Sequence, residues 1–210
     1  CQNLQAKIGP VYYRAMVMLS DPTSMTVDVV RLGETADQLG EGPLWDVAEQ
    51  ALYWVDSTGC LIHRLCPQTG ERRDWQVPGA IGSMALRADG GAVIALENGV
   101  HLFDFDSGEA LPLIDPEVNE PRTRFNDGKV DRQGRFLCGS MAYDQRPGAA
   151  AMWRLMPDGT TTRQFGDLTI SNGLAFTADG TRAFYVDTPT GRVDLFDWSD
   201  ADGLVERRPF

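Results

Sequence analysis

Histidine is scarce in this sequence, with only His63 and His101. The four cysteines, Cys1, Cys60, Cys66 and Cys138, form no C-x-x-C pair, and their spacing matches no zinc module. They read as reduced thiols in a cytosolic protein, a reading preferred over a Cys60–Cys66 disulfide on the compartment argument. Positive charge is also short: 19 Lys and Arg stand against 30 Asp and Glu, for a formal net charge of −11. That argues against a nucleic-acid surface, which needs clustered cations to meet phosphates. No apolar run reaches the length of a membrane-spanning helix. Val11–Leu19 comes nearest to a signal-peptide core, but Arg14 interrupts it and no basic start precedes it. No Asn-x-Ser/Thr acceptor occurs, which also leans towards the cytoplasm. What is present is a hydrophobic content of 42% in 210 residues, which rules out wholesale disorder and allows a substantial core.

Residues 1–24 show neither alternation nor a helical face, and the chain starts at Cys1. They are expected to be a leader or a non-native extension, with Met25 as a natural start and residues 25–210 as the folded domain. Thr26–Arg31 reads as a strand rich in β-branched residues. From Leu39 onward the chain repeats itself. Four tetrads, Gly42-Pro43-Leu44-Trp45, Ser83-Met84-Ala85-Leu86, Gly128-Lys129-Val130-Asp131 and Gly173-Leu174-Ala175-Phe176, end 41, 45 and 45 positions apart. After each comes a turn, such as Asp89-Gly90-Gly91 or Asp179-Gly180. An apolar strand follows, such as Ala51–Asp56 or Ala183–Asp187, and then a third strand, such as Leu61–Leu65 or Val193–Phe196. A more polar fourth strand, as in Arg72–Val77, closes three of the units.

Short strands in fours with a period near 45 predict an all-β fold, a β-propeller whose blades stack because none buries both faces alone. A β-sandwich would match the strand density but would not repeat its turns in register. About four blades are expected here, with a loop insertion at Tyr143–Ala150 that lies at a blade end and could border a pocket. The chain stops inside its fourth unit, and Thr26–Arg31 has no unit of its own, so the ring is expected to be C-terminally truncated.

The innermost strands of a propeller line a channel, so the polar residues just before them are candidates for a site. They are Glu41, Asn126 with Asp127, and Asn172, while the second unit offers only Gly82. Converging carboxylate and amide oxygens suit a hard divalent cation. Each has a plainer reading. Glu41 could shape the Gly-Glu-Gly-Pro turn and Asn172 an αL turn, and Asn126-Asp127-Gly128 is strong turn chemistry. Lys129 and Asp131 could pair locally. His63 and His101, on third strands, are expected to be structural or exposed, and Trp45, Trp54, Trp153, Phe176 and Tyr185 to fill interblade core.

Four segments together carry a family resemblance: Gly40-Glu41-Gly42-Pro43-Leu44-Trp45, Arg124-Phe125-Asn126-Asp127-Gly128-Lys129-Val130-Asp131, Gly139-Ser140-Met141 and Ser171-Asn172-Gly173-Leu174. The sequence from about Met25 to Phe210 resembles the SMP-30/gluconolactonase, or regucalcin-like lactonase, family. The resemblance implies a six-bladed propeller with one divalent metal at the channel mouth, and hydrolysis of sugar lactones. It implies Glu41 and Asn172 as metal ligands, and Arg124, Asn126 and Asp144 as substrate-binding residues. Register alone would favour Asp127, and the resemblance favours Asn126 over it. The ion would be Ca²⁺, Mg²⁺, Mn²⁺ or Zn²⁺, which an oxygen-donor site discriminates only modestly. The partner would be a small sugar lactone and the protein a monomer. The family's third ligand and base is an aspartate of a Pro-Asp-Gly segment in the fifth blade, and none follows Asn172, so the catalytic residue stays unassigned and a weakened metal site with little activity is expected of the 210 residues alone. Pro157-Asp158-Gly159 sits between third and fourth strands, so the role is not transferred to Asp158. The competing reading is a non-catalytic, calcium-binding or protein-interaction propeller.

Overall fold

A computed structural model describes residues 36–210. The leader expected at 1–24 and the strand expected at Thr26–Arg31 lie outside the described residues. Four antiparallel sheets account for nearly all the described structure, together with one 3-10 turn at Thr188–Thr190. The first holds β1 (Gly40–Asp46), β2 (Ala51–Asp56), β3 (Leu61–Leu65) and β4 (Arg72–Gln76). The second holds β5 (Ile81–Leu86), β6 (Ala92–Leu96), β7 (Gly99–Phe103) and β8 (Ala110–Ile114). The third holds β9 (Thr123–Val130), β10 (Phe136–Ala142), β11 (Ala150–Leu155) and β12 (Thr161–Leu168). The fourth holds β13 (Ser171–Phe176), β14 (Arg182–Asp187), β15 (Val193–Ser199) and β16 (Gly203–Pro209). Within each sheet the strands lie side by side in chain order. These are the blades of a β-propeller. No helix among the described residues is long and apolar enough to cross a membrane.

The blades stack through three cores. Ala51, Tyr53 and Val55 of the first meet Ile94 and Leu96 of the second. Val93 and Ala95 of the second meet Phe125, Phe136 and Cys138 of the third. Leu137 and Met152 of the third meet Tyr185, Phe196 and Leu204 of the fourth. In β6, alternate residues therefore serve opposite neighbours, which is why Ala92–Leu96 is an unbroken apolar run rather than an alternating one. The first strands pack beside one another, β1 by β5, β5 by β9 and β9 by β13, so they form the inner wall. All four run in the same sense, which puts their starts at one end with the β2–β3, β6–β7, β10–β11 and β14–β15 connections.

Several sequence expectations need correction. Every blade has a fourth strand, not three of four. Arg124–Gly128 lies inside β9 and is not a tight turn. Asp131 does not pair with Lys129. Its buried carboxylate accepts from Arg135 Nε at 2.6 Å, and Lys129 is exposed. His63 and His101 are both buried, so the exposed alternative fails. His63 sits against Asp74, 2.6 Å away, and His101 against the Gly99 carbonyl. Trp45 and Trp54 are half-buried and outside the three cores, unlike Tyr185, Phe176 and Trp153. The Trp54 indole packs at a tilt against His63 and donates to Asp37 at 2.7 Å. Cys60, Cys66 and Cys138 are free thiols.

Candidate active site at the channel mouth

Each inner strand carries one extra residue relative to its partner, at the same height. Glu41 opposes Val55 and Leu44 opposes Tyr53, so three steps on β1 match two on β2. The same surplus occurs between Ile81 and Ser83, between Phe125 and Gly128, and between Asn172 and Leu174. These are β-bulges, which bend a strand and re-aim its side chains. The bulges in β1 and β13 place Gly42 at φ +58° and Gly173 at φ +57°, a conformation that residues with a Cβ adopt at a cost. Glu41 and Asn172 immediately precede those glycines, so the two residues occupy equivalent positions on different blades. The turn-like composition of Asn126-Asp127-Gly128 is thus the chemistry of a bulge inside a strand.

Buried aspartates fix the approach to both positions. Asp56, at the end of β2, accepts from the amides of Gln38 at 2.9 Å and Leu39 at 3.0 Å. Asp187, at the end of β14, accepts from those of Thr169 at 3.1 Å and Ile170 at 2.8 Å. In each blade the clamp ends two residues before Glu41 or Asn172. Burial opposes ionisation of Asp56, but the amides of Leu39, Gln38 and Gly59 outweigh it and hold the carboxyl below its usual value. Sequence reasoning missed both residues, though an aromatic-Val-Asp signal was there in Trp54-Val55-Asp56 and Tyr185-Val186-Asp187.

In the third blade, Arg124 and Asn126 lie on β9 and share a hydrogen bond, Nη1 donating to the Asn126 Oδ1 at 3.1 Å. Asn126 Nδ2 donates across the blade boundary to the Ser171 carbonyl at 2.9 Å. Asp127 makes a second crossing. Its Oδ1 accepts from its neighbour Gly128 N, and its Oδ2 from Gly173 N, both at 2.8 Å. It therefore ties the third blade to the bulge beside Asn172 and does not shape a turn. Gly139 allows this close approach, because a Cβ there would overlap Ser171 Oγ. Ser140 Oγ donates to Glu117 Oε1 at 2.6 Å, and Met141 forms a backbone bridge with Ile170. The Gly139-Ser140-Met141 stretch is thus a seam between blades.

Electrostatics link these residues across blades. Burial, then the Asp127 charge, raise the Glu41 carboxyl above its ordinary value, while Arg124 opposes them. Burial pulls the Arg124 guanidinium down, against the influence of Tyr143, Glu41 and Glu97, and a guanidinium stays charged regardless. Glu41, Arg124, Asn126, Asp127 and Asn172 thus belong to one end of the inner wall. Asp144 stands apart. It is exposed on the β10–β11 connection, where its Oδ1 meets the Arg146 amide at 3.3 Å. Asp158 lies in the β11–β12 turn, at the opposite end of the blade, and accepts from Thr160.

Two oxygen donors stand ready for a cation. Neither the Glu41 carboxylate nor Asn172 Oδ1 has a hydrogen-bond partner among the described residues, and Asn172 Nδ2 is occupied by Thr188 Oγ1 at 3.3 Å. Among the described residues, no group of three or more His, Cys, Asp or Glu is placed to hold an ion. The donors therefore fit a hard cation in kind and supply part of its coordination.

Residues 39–210 match the SMP-30/Gluconolactonase/LRE-like region. Regucalcin of Xenopus laevis is 34% identical over 176 residues, covering 81% of this chain and 59% of that protein. A 6-deoxy-6-sulfogluconolactonase of Pseudomonas putida is 36% identical over 151 residues, covering 72% and 52%. The chain thus spans about half to three-fifths of the length of these curated relatives. Among solved structures, a calcium-binding regucalcin from Agrobacterium tumefaciens superposes with a TM-score of 0.79 at 28% identity, over 85% of this chain and 60% of that one. The chain belongs to the SMP-30/gluconolactonase/LRE-like family, whose members include proteins named as sugar lactonases.

Proposed function

We propose that this chain forms the mouth of a metal-dependent sugar lactonase, opening the cyclic ester of an aldonolactone with water. The observation that carries the reading is that Glu41, Asn126 and Asn172 sit at equivalent bulges of three blades, at one end of the inner wall, with Arg124 hydrogen-bonded to Asn126. The names of the relatives support the substrate class. Glu41 and Asn172 would hold a divalent cation, which when bound supplies Lewis-acid polarisation of the lactone carbonyl.

The chain's own residues do the rest. Arg124 presents a half-buried cation beside Asn126, suited to the carbonyl oxygen and to the negative charge that grows on it during attack. The Asn126 amide is held on both sides, by Arg124 and by Ser171, so it orients the substrate without a loss of side-chain freedom on binding. Asp127 keeps the β9 and β13 bulges in mutual register. Asp144, exposed on the loop above, would meet sugar hydroxyls only at the outer edge. Attack of water adds a C–O bond at the carbonyl carbon. The ring C–O bond then breaks, and the leaving ring oxygen takes up the proton given up by the attacking water, giving the open hydroxy acid, an aldonic acid. The domain at 25–210 is proposed to work as a monomer in the cytoplasm, where the free thiols persist.

Paired variants test the division of labour. Glu41→Gln and Asn172→Ala are expected to weaken metal binding by calorimetry, and Arg124→Ala to cut kcat/KM for D-glucono-1,5-lactone by about a hundredfold with metal binding retained. Arg124→Ala with unchanged kcat/KM would sink the assignment.

A further inference from the structure

Outside the inner strands, two residues from neighbouring blades meet across the blade boundary. Glu97 follows β6 and Tyr143 follows β10, and the Tyr143 hydroxyl donates to Glu97 Oε2 at 2.8 Å. Burial first, then this hydrogen bond and the Glu97 charge, push the phenol up to about 12, so it remains a donor at neutral pH. Both ends are anchored by backbone. Tyr143 N donates to the Arg122 carbonyl at 3.0 Å and Glu97 N to that of Ala80 at 2.8 Å. Gly79 leaves room for the carboxylate, since a Cβ there would come within 2.7 Å of Glu97 Oε1.

This crossbar flanks a cavity of about 320 Å³, whose walls also include Asn98, Asp115, Glu117 and Phe125. Among the described residues no Lys or Arg lines it, and Arg146 of the β10–β11 connection lines a neighbouring cavity instead. The cation in electrostatic reach of the crossbar is Arg124, on the inner side. A lactone whose ester end meets the inner ring extends its far end towards these outer connections. Hydroxyl groups can donate to Glu97 there. An anionic group would face several carboxylates without a counter-charge.

We propose that Glu97, held by Tyr143, selects neutral lactones over lactones that carry a negative group at the end remote from the ester. The proposal rests on the lactonase reading above. Tyr143 opens the inserted loop noted in the sequence, Glu97 belongs to no motif noted there, and neither touches the metal donors, so they set specificity at the rim of the site.

The test compares D-glucono-1,5-lactone with its 6-phosphate as substrates of the metal-loaded full-length wild-type protein and its Glu97→Gln and Tyr143→Phe variants. The readout is the ratio of kcat/KM for the two lactones. Wild type should favour the neutral lactone by at least about tenfold, and Glu97→Gln should narrow that ratio by about three- to tenfold, the scale of one partly exposed charge. Tyr143→Phe, which frees the carboxylate from its donor, should keep or widen the ratio. Opposite responses distinguish a selectivity device from a structural staple, for which both variants would shift in the same direction. Neutral turnover with a ratio unaltered by Glu97→Gln, or narrowing in both variants, overturns this proposal alone. No turnover of either lactone by the folded wild type overturns the lactonase reading, and this proposal with it.

Discussion

Replacing Asp127 by Asn separates two roles of one carboxylate. Its oxygens accept from Gly128 N and Gly173 N, both at 2.8 Å. Asn keeps one acceptor oxygen and turns an NH₂ group towards the other amide. A hydrogen bond to a charged group is worth about 1.5–3 kcal/mol. Asp127 is half-buried and Gly173 exposed, so solvent screening places the loss near the low end, at about 1–2 kcal/mol. The charge acts in the other direction. After burial, Asp127 is the next influence that raises the Glu41 carboxyl. Because the folded value of Glu41 lies above its unfolded one, the stability it lends when protonated is lost as pH rises through that raised value. Asp127→Asn shrinks that loss, so the net destabilisation at pH 7 should be smaller than the hydrogen bond alone would give. Two assays report the two roles: the urea midpoint at constant m-value, and the titration of the Glu41 side chain by carbon-detected NMR. The reasoning predicts a lower midpoint and a Glu41 titration moved to lower pH. An unchanged midpoint would refute the interblade tie, and a Glu41 titration that stays put would refute the coupling.

Two other expectations follow from the same clamps and seams. The stability supplied by Asp56, whose carboxyl is held below its usual value, is fully present above the unfolded value near 4 and is lost as pH falls through the folded one. Acid unfolding followed by tryptophan fluorescence should therefore flatten below about pH 4 in Asp56→Asn, with a loss of about 1–3 kcal/mol at pH 7. Gly139→Ala should destabilise by about 1–3 kcal/mol, because its Cβ would overlap Ser171 Oγ in a packed seam, and should also weaken metal binding by displacing the strand that carries Asn172. Thermal unfolding and calorimetry check the two effects.

The propeller was legible because its signal is a repeat. A tetrad, a turn and an apolar strand recur about every 45 residues, and the observed strands follow that order. Local chemistry was a poorer guide where long-range partners decide. Asn126-Asp127-Gly128 carries turn composition, yet β10 pairs along both sides of it, so the same residues form a bulge within a strand. Register favoured Asp127 and the resemblance set it aside for Asn126, while its role as an interblade tie stayed hidden because its partner, Gly173, lies 46 positions away. Lys129 looked like the ion partner of Asp131 by proximity, whereas the turn that follows brings Arg135 back to it. Glu41 and Asn172 were visible because their equivalence is written in the repeat, each before a glycine. Tyr143 was visible only as the start of an inserted loop, and Glu97 left no trace, since their relation arises only when neighbouring blades bring two connections together.

The proposed activity turns on a cation held at Glu41 and Asn172 and on a lactone held at Arg124 and Asn126. Proton release from D-glucono-1,5-lactone, followed with the full-length wild-type protein before and after chelation and after re-addition of Ca²⁺ or Zn²⁺, brings both together. The expected result is enzymatic ring opening above the spontaneous rate that chelation abolishes and metal restores. Turnover that survives complete chelation, or none from a folded and metal-replete protein, would contradict it.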